Sequence, residues 1–390
     1  MRILLTSPTY PPFISGLGNA VAQQAKGLAK AGHEVVVATG GNQRRSIYSE
    51  GILIETFPIT GADYFFQPIR GDAASYINFL CKNSWDIVLL NAWQNWATDL
   101  ALQNLDKISG YRFVYSHCIS TNVLYSSQPL RSVIRYIAWR PYWWRLPQFM
   151  RRLDGLLFLA GGGSDSRFDD FRLARRLGLP LQIVPNSISS EATTALSKQS
   201  RSLETRDQIM AVGSYQWQKG FDFVLRAFAG SQARHRFVLH IYGQEHSAYS
   251  SALRSLARRL GLGADNVIFH AGIFGEELVN EYCKARIVLS GSHTECQPLA
   301  LLDASATGTP FIARKTGCIS TMPGGISVVT PKEMAYQLDT LVDDTLSWQL
   351  LSDEGRHAAR EVYHPNQTIK QLLAALKEMG ASQSAGLINE

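Results

Sequence analysis

Two sets of six short apolar runs, separated by helical segments, constrain the fold of this chain more than any other feature. The runs are continuous stretches rich in Val, Ile and Leu, without alternation of apolar and polar residues. Such runs are typical of parallel strands that are covered on both faces. They lie at 2–8, 33–40, 85–91, 112–117, 155–161 and 181–186, then at 208–214, 237–243, 266–272, 286–292, 309–315 and 326–330. The sequence predicts two doubly wound α/β domains that face each other across a cleft.

A polar, Ser- and Thr-rich stretch separates the two sets and has no apolar periodicity before residue 208. We interpret its beginning as an interdomain linker. After the second set, a last apolar helical segment follows His364 and Pro365. The predicted parts are an N-terminal domain, a C-terminal domain, a helix that returns to the first domain and a flexible tail, over 1–186, 187–364, 365–380 and 381–390.

Composition and charge exclude several classes of protein. The excess of basic over acidic residues, 38 to 32, fits a protein that handles anionic ligands and is too small to indicate nucleic-acid binding. The five cysteines are scattered, without a CxxC pair, so neither a disulfide framework nor a structural zinc site is expected. The first apolar run is too short for a signal peptide, and none approaches the roughly 20 residues of a membrane span. We expect a cytoplasmic protein, with peripheral attachment to the inner face of a membrane as an open alternative.

Two acids bracket the start of a predicted helix in HTECQPLALLDASATGTPFIA, residues 293–313. Glu295 lies in the loop, Pro298 suits the first helical turn, and Asp303 falls in a segment that is apolar nearly all round. A buried carboxylate needs partners, and sugar or ribose hydroxyls would serve. The helix N-terminus between the acids favours phosphate. The alternative, a helix-start Glu295 and an Asp303 paired with a core arginine, stays open.

Two further loops precede predicted helices. Lys219 and Gly220 open a helix, where a lysine suits phosphate, although a solvated loop lysine is the alternative. Gly16 and Gly18 separate the first strand from an amphipathic helix and let the backbone approach an anion closely. An ordinary turn accounts for this glycine pair equally well.

Together these loops resemble the retaining glycosyltransferases of the GT-B fold, specifically the glycosyltransferase family 4 type, over nearly the whole chain. The most specific element is the E-x7-E motif of that family, matched by ECQPLALLDASATGTPFIA. The resemblance implies that Glu295 holds the donor sugar and Asp303 the nucleotide ribose. It also places Gln297, Pro298 and Leu299 in the donor-binding segment.

Other segments carry the same resemblance. VGSYQWQKGFD is similar to a G-R-x4-K-G loop whose Arg and Lys hold the diphosphate, and it places Lys219 on the donor. VPNSI is similar to the hinge before the second domain, and YPPFISGLGNAV to the N-terminal glycine loop, which implies donor contacts for Gly16 and Gly18. FVYSH places His117 where the family often has a donor-contacting histidine, with an ordinary strand-end histidine as the alternative.

Three positions depart from the pattern of the family. Ser214 replaces the arginine, Asp303 is one methylene shorter than the usual glutamate, and Ser187 stands where the hinge glycine is common. The loss of the arginine matters most, because a charge-assisted phosphate contact is missing. Arg314 and Lys315 are candidates to replace it.

The resemblance implies transfer of a sugar from a nucleotide-diphosphate sugar with retention at the anomeric carbon. Since no D-x-D follows a strand, we expect no metal and no other cofactor. Two alternatives stay open: a nucleotide-sugar epimerase of the same architecture, and a catalytically degenerate GT-B subunit that binds an active partner.

The acceptor side is represented by QPLRSVIRYIAWRPYWWRLPQFMRR, residues 128–152, where arginines alternate with Trp, Tyr and Phe. This composition suits an anionic membrane surface or a lipid-linked or polysaccharide acceptor. A helical hairpin whose aromatic residues pack on the first domain is the alternative. Nucleic-acid binding is not expected, because no known binding module accompanies the segment.

Overall fold

The computed structural model describes residues 1–13, 15–125, 127–161, 165–198, 200 and 202–386, without the side chains of 382–386. The chain divides into two compact units, residues 1–186 with 366–390, and residues 187–365. Each unit contains a mainly parallel sheet with helices between its strands, which confirms the predicted α/β fold class.

Unit 1 contains an eight-stranded sheet in the order β10-β9-β8-β7-β1-β2-β4-β3, and a separate β5–β6 ribbon. The eight strands pair in parallel except β3, which lies antiparallel to β4 at the edge. The strands are β1 Arg2–Ser7, β2 Glu34–Gly40, β3 Arg45–Ser49, β4 Ile52–Phe57, β5 Ile59–Thr60, β6 Arg70–Gly71, β7 Ile87–Asn91, β8 Tyr111–Ser116, β9 Gly155–Phe158 and β10 Leu181–Ile183.

Helices of unit 1 connect these strands, and the last helix of the chain also packs in this unit. The connecting helices are α1 Gly16–Lys30, α2 Ala73–Lys82, α3 Trp96–Leu102, α4 Pro129–Ala138, α5 Arg140–Arg151 and α6 Asp169–Arg176. Unit 2 begins with the helix α7, Ser190–Leu196, and with a short 3-10 turn at Leu203–Thr205. Helical structure therefore occupies part of the stretch from 187 to 208 that the sequence presented as aperiodic.

Unit 2 contains a six-stranded parallel sheet in the order β13-β12-β11-β14-β15-β16. Its strands are β11 Gln208–Val212, β12 Val238–Gly243, β13 Val267–Ala271, β14 Ala285–Ser290, β15 Phe311–Arg314 and β16 Gly325–Val328. Its further helices are α8 Phe221–Gly230, α9 Ala248–Arg259, α10 Gly275–Lys284, α11 Leu299–Ala306, α12 Pro331–Leu341 and α13 Thr345–Glu361, and the chain ends with α14, Pro365–Gly386.

The terminal helix α14 returns to unit 1, as predicted. Its Ile369 lies so close to Gly27 of α1 that a Cβ on that glycine would be 2.3 Å from Ile369 Cγ1. The helix continues to Gly386. The tail predicted from 381 is therefore helical over 381–386, while 387–390 lie outside the described residues.

Both sheets have a point where the strand order reverses. In unit 2 the chain builds outward from β11 through β12 and β13, and from β14 through β15 and β16. In unit 1 the corresponding neighbours are β1 and β7. Ligands of open α/β sheets bind beyond the carboxyl ends of the strands at such a point. The loops that follow these four strands are therefore candidate site regions.

Candidate functional site

The loops after β11 and β14 meet at the switch point of unit 2, and two glycines allow their backbones to touch. Gly220 has a φ of +59°, and a Cβ there would lie 2.0 Å from the Gly291 carbonyl oxygen. A Cβ on Gly291 would lie 2.2 Å from the Gly220 carbonyl oxygen. The His293 amide also donates to the Gln218 carbonyl oxygen at 2.8 Å. This contact holds the Lys219 loop and the Glu295 loop in fixed register.

Lys219 and Glu295 form an ion pair in which Nζ lies 2.6 Å from Oε1. The same carboxylate oxygen accepts a hydrogen bond from Ser292 Oγ at 3.0 Å. Lys219 ends the 3-10 turn Trp217–Lys219, immediately before α8. Lys219 is thus half-buried and paired, and the two residues that the sequence singled out separately belong to one cluster.

A second set of contacts supports the Lys219–Glu295 cluster. Gly317 has a φ of +53°, and a Cβ there would lie 2.2 Å from the Glu295 carbonyl oxygen. His293 stacks on Trp217 with ring centroids 4.3 Å apart, and its Nδ1 lies 2.6 Å from Arg314 Nη1. Arg314, a candidate replacement for the missing arginine, thus lies against His293 of the same loop.

Asp303 accepts a hydrogen bond at Oδ1 from the Ser189 amide at 2.8 Å, and Ser189 caps the N-terminus of α7. Among the described residues no arginine or lysine forms an ion pair with Asp303, so the core-arginine alternative is wrong. Burial raises the pKa of Asp303 to about 6, although the hydrogen bonds from Ser189 oppose that rise. Ser189 is a site residue that sequence reasoning missed, since nothing in a polar linker links it to an acid 114 positions away.

The remaining donor-binding candidates line the same two loops. Gln297 and Pro298 are buried, and Leu299 is half-buried at the start of α11. Pro298 caps that helix and does not lie in its first turn, which corrects the prediction. Ser214 lies two residues beyond β11 and is half-buried. The helix α11 begins at Leu299, between the two acids in sequence, and a helix N-terminus favours an anion.

In unit 1 the glycine pair lies inside α1 instead of before it, which corrects the predicted turn. Ser15 caps the helix by accepting a hydrogen bond from the Gly18 amide at 2.9 Å. A Cβ on Gly18 would lie 3.0 Å from the Thr9 carbonyl oxygen, whereas one on Gly16 would meet no atom within 4 Å. Gly18 is thus required for close packing, and Gly16 leaves the helix start accessible.

His117 follows β8 at the carboxyl edge of the same sheet, and its Nε2 lies 3.3 Å from Asn91 Oδ1 at the end of β7. Burial lowers the pKa of His117 to about 4, so the imidazole is neutral at pH 7. A hydrogen bond to the carboxamide oxygen requires the tautomer with the proton on Nε2. Asn91 was not predicted as a site residue, although its place at the end of the third apolar run could have indicated one.

Backbone strain concentrates around His117 and Asn91. Ala92, Gln94 and Cys118 have φ values of 62°, 61° and 64°, in the left-handed region that favours glycine. Such strain typically persists where it positions functional groups. The loops after β7 and β8 are therefore the second candidate site region.

Within the described residues, no group of three or more His, Cys, Asp or Glu side chains is placed to hold a metal ion. None of the described helices combines the length and the apolar character that crossing a membrane requires.

Comparison with known proteins identifies glycosyltransferases as similar sequences. Residues 206–344 match the family described as glycosyl transferases group 1, which includes the loops of Lys219 and Glu295. A D-inositol 3-phosphate glycosyltransferase of Acidothermus cellulolyticus is 30% identical over 44% of this chain, and the match spans 40% of that protein. An MMP α-(1→4)-mannosyltransferase of Mycolicibacterium hassiacum is 24% identical over 99% of this chain and 100% of its own length.

Solved structures share the fold along nearly the whole chain. Sucrose-phosphate synthase of Thermosynechococcus elongatus superposes with a TM-score of 0.73 at 16% identity, over 98% of this chain and 99% of its own. The Anabaena protein Alr3699/HepE, solved with UDP and glucose, gives 0.67 at 15% identity, over 97% of this chain and 100% of its own. Residues 206–344 thus match the glycosyl transferases group 1 family, and the solved structures show that the chain as a whole has the two-domain GT-B fold.

Proposed function

We propose that this chain is a retaining glycosyltransferase that moves a sugar from a nucleotide-diphosphate sugar to an acceptor. The observation that carries the proposal is the Lys219–Glu295 ion pair at the switch point of unit 2. A cation and a carboxylate in one cluster match the two parts of such a donor, the diphosphate and the sugar hydroxyls. The complex of the Anabaena protein with UDP and glucose supports a donor of this class.

Each residue has a role in this proposal. Lys219 binds the diphosphate, Glu295 binds the sugar hydroxyls and Asp303 binds the ribose. The segment of Gln297, Pro298 and Leu299 and the loop of Ser214 complete the donor site. The proposal that Gly16, Gly18 and His117 contact a donor rests on the family resemblance and on their place at the carboxyl edge of the unit 1 sheet.

The chemistry of the step follows from the charges that develop. The anomeric C–O bond breaks, positive charge develops on the sugar, and negative charge develops on the departing diphosphate. Lys219 and the first amides of α11 stabilise that leaving group. The departing diphosphate oxygen takes the proton from the acceptor hydroxyl that attacks the same face of the sugar. We propose that the reaction needs neither a metal nor another cofactor.

A second candidate is a degenerate subunit that binds donor without turnover, and the observation that favours it is Ser214. No further arginine replaces the missing side chain on this loop, and Arg314 lies against His293. The epimerase alternative gains no support from the relatives, which are described as glycosyltransferases.

We propose that the acceptor is a lipid-linked or polysaccharide precursor. We also propose that the protein attaches peripherally to the cytoplasmic face of an anionic membrane to reach this acceptor. The support is the arginine- and aromatic-rich segment 128–152.

The proposed function is tested by turnover of a donor panel. UDP-, GDP- and ADP-sugars are incubated with the protein, and release of nucleoside diphosphate is measured with and without added lipid and sugar acceptors. We expect one donor to be consumed, with a product whose anomeric configuration matches that donor by NMR. Binding of a nucleoside diphosphate without release from any donor would favour the degenerate subunit, and an inverted product would contradict retention.

A further inference from the structure

Helix α4 packs on unit 1 with its polar side and leaves its apolar side outward. Ser132 is buried, its Oγ accepts from the Tyr125 amide at 3.0 Å, and Arg135 Nη2 donates to the Val123 carbonyl oxygen at 2.7 Å. The apolar residues stand at positions i, i+3, i+4 and i+7, the spacing of one helix face, and all are exposed: Leu130, Val133, Ile134 and Ile137. This arrangement is the reverse of a helix that packs on a globular core.

Exposed aromatic residues extend this apolar face. Phe65 is 85% exposed and Phe66 60%, and Trp144 of α5 is 72% exposed. The loop that carries Phe65 and Phe66 is fixed beside the hairpin, because Tyr64 stacks on Trp139 with ring centroids 4.2 Å apart. Exposed apolar patches of this kind mark surfaces that bind a partner or a membrane. We call Leu130, Val133, Ile134, Ile137, Phe65, Phe66 and Trp144 the α4 face.

The arginines around the α4 face indicate which kind of partner it binds. Of the six arginines in 128–152, Arg145 pairs with Asp63 and Arg152 with Asp106. Within the described part of the chain, Arg135 and Arg140 donate to carbonyl and carboxamide oxygens and form no ion pair, so no carboxylate offsets their charge. Among the described residues, Arg131 and Arg151 form no ion pair, which leaves four uncompensated guanidinium groups. A second copy of the chain would bring the same four positive charges to a symmetric interface, and they would repel.

We propose that the α4 face docks on the surface of a membrane that contains anionic lipid. The apolar row inserts into the interfacial layer, the aromatic residues lie at the level of the headgroups, and the guanidinium groups bind lipid phosphates. Interfacial helices of this type need no spanning segment.

The position of the α4 face links membrane docking to the transfer reaction, and this link rests on the proposed function. Helix α4 follows β8, as His117 does, so both leave the carboxyl edge of the sheet. The Phe65 loop is tied to the same edge, because the Trp96 amide at the start of α3 donates to the Gly61 carbonyl oxygen at 3.0 Å. A docked bilayer would therefore face the edge that carries His117, and the acceptor class this favours is amphipathic and membrane-embedded.

Vesicle sedimentation tests the proposal with the full chain. Vesicles of phosphatidylcholine with phosphatidylglycerol should bind the protein and release it at high salt, on the order of 1 M, where charges are screened within about 3 Å. Pure phosphatidylcholine vesicles should bind it weakly. Leu130→Ser/Ile134→Ser should weaken binding at least about tenfold. Leu346→Ser/Leu350→Ser, which changes two exposed leucines of α13 with the same spacing, should have no effect.

A second pair of substitutions tests the electrostatic part. Arg131→Gln/Arg151→Gln should weaken binding at least about tenfold on anionic vesicles only. Arg135, Arg140 and Arg145 are left unchanged, because their contacts hold the hairpin.

Three outcomes would overturn the proposal: wild-type protein that does not sediment, sedimentation independent of lipid charge, or normal binding by Leu130→Ser/Ile134→Ser. A solution dimer that the same double variant dissociates, seen by sedimentation velocity, would assign the face to a second copy instead. Nucleoside diphosphate binding is measured by calorimetry in every variant. If the wild type does not bind nucleoside diphosphate, the proposed function is contradicted and the vesicle result still stands. Failure of the proposed function and failure of membrane docking are therefore distinguishable.

Discussion

Glu295 is the counterion of Lys219 across 76 positions of sequence, with Oε1 and Nζ 2.6 Å apart. A diphosphate that binds Lys219 must compete with this carboxylate for the same ammonium group. When the diphosphate takes the lysine, Glu295 is left with the hydrogen bond from Ser292 and is available to accept from sugar hydroxyls. With Lys219 as the proposed diphosphate contact and Glu295 as the proposed sugar contact, the ion pair would couple diphosphate binding to release of Glu295.

Glu295→Gln tests this coupling. The amide keeps the shape of the side chain but no longer competes for Lys219, so affinity for the nucleoside diphosphate should rise or stay constant. Transfer should fall by at least about two orders of magnitude, because the contact that orients the sugar is weakened. Calorimetry and initial rates measure the two effects, with the exposed Glu277→Gln as control. Wild-type turnover, or equal loss of binding and turnover, would contradict the assignment.

Gly220→Ala should destabilise the protein more than its conformation alone explains. Gly220 and Gly261 both have positive φ, at +59° and +74°, but a Cβ on Gly261 meets no atom within 4 Å. The clash of the added methyl group with the Gly291 carbonyl should add about 1–3 kcal/mol to the loss of unfolding free energy. Urea unfolding of Gly220→Ala beside Gly261→Ala measures the difference. Equal losses would show that the two loops do not touch as described.

Asp303→Asn should stabilise the protein without ligand at neutral pH and weaken its affinity for the nucleotide. The folded pKa of about 6 lies above the usual 3.8, so folding takes up a proton between these values. Wild-type stability should therefore fall as pH rises from about 4 to about 6, whereas the asparagine, which still accepts from Ser189, lacks this loss. Thermal unfolding across and beyond that pH window follows the difference. A gap that does not grow across the window would refute the raised pKa of Asp303.

His117 should titrate near pH 4 instead of near 6.5, because its ring is buried and lies beside the neutral Asn91. NMR of the labelled imidazole measures the midpoint directly. Asn91→Asp should raise that pKa by placing a carboxylate at Nε2. A wild-type midpoint at the ordinary histidine value of 6.5 would mean that His117 is exposed to solvent, and it would remove the argument for a neutral hydrogen-bonding role.

Sequence reasoning located the twelve strands that carry continuous apolar runs, since a parallel strand buried on both faces leaves a signal in its own residues. It missed β4, whose apolar run is interrupted by Glu55 and Thr56. It also missed β3, whose five residues are all exposed, and the two-residue strands β5 and β6. The strands β3, β5 and β6 have no apolar run of their own, and they form because a neighbouring strand offers backbone partners.

The candidate site was likewise predicted only in part. Glu295, Lys219 and Asp303 were found from their places beside predicted helix starts. Their partners were not, because the Ser189–Asp303 and Lys219–Glu295 contacts join residues that only the tertiary fold brings together. The segment 128–152 combines two expectations: Trp139 and Tyr142 are buried, as in a packed hairpin, while Trp144 and one face of α4 are exposed.

Calorimetry with Lys219→Met tests most directly whether the switch point of unit 2 binds the diphosphate of a nucleotide-sugar donor. Nucleoside and nucleoside diphosphate are titrated into the wild type, Lys219→Met and the exposed-lysine control Lys332→Met. Lys219→Met should weaken diphosphate binding at least about tenfold, since a charge-assisted contact is lost, while nucleoside binding is unchanged and Lys332→Met behaves as the wild type. Equal effects of Lys219→Met on nucleoside and nucleoside diphosphate would contradict this role of Lys219.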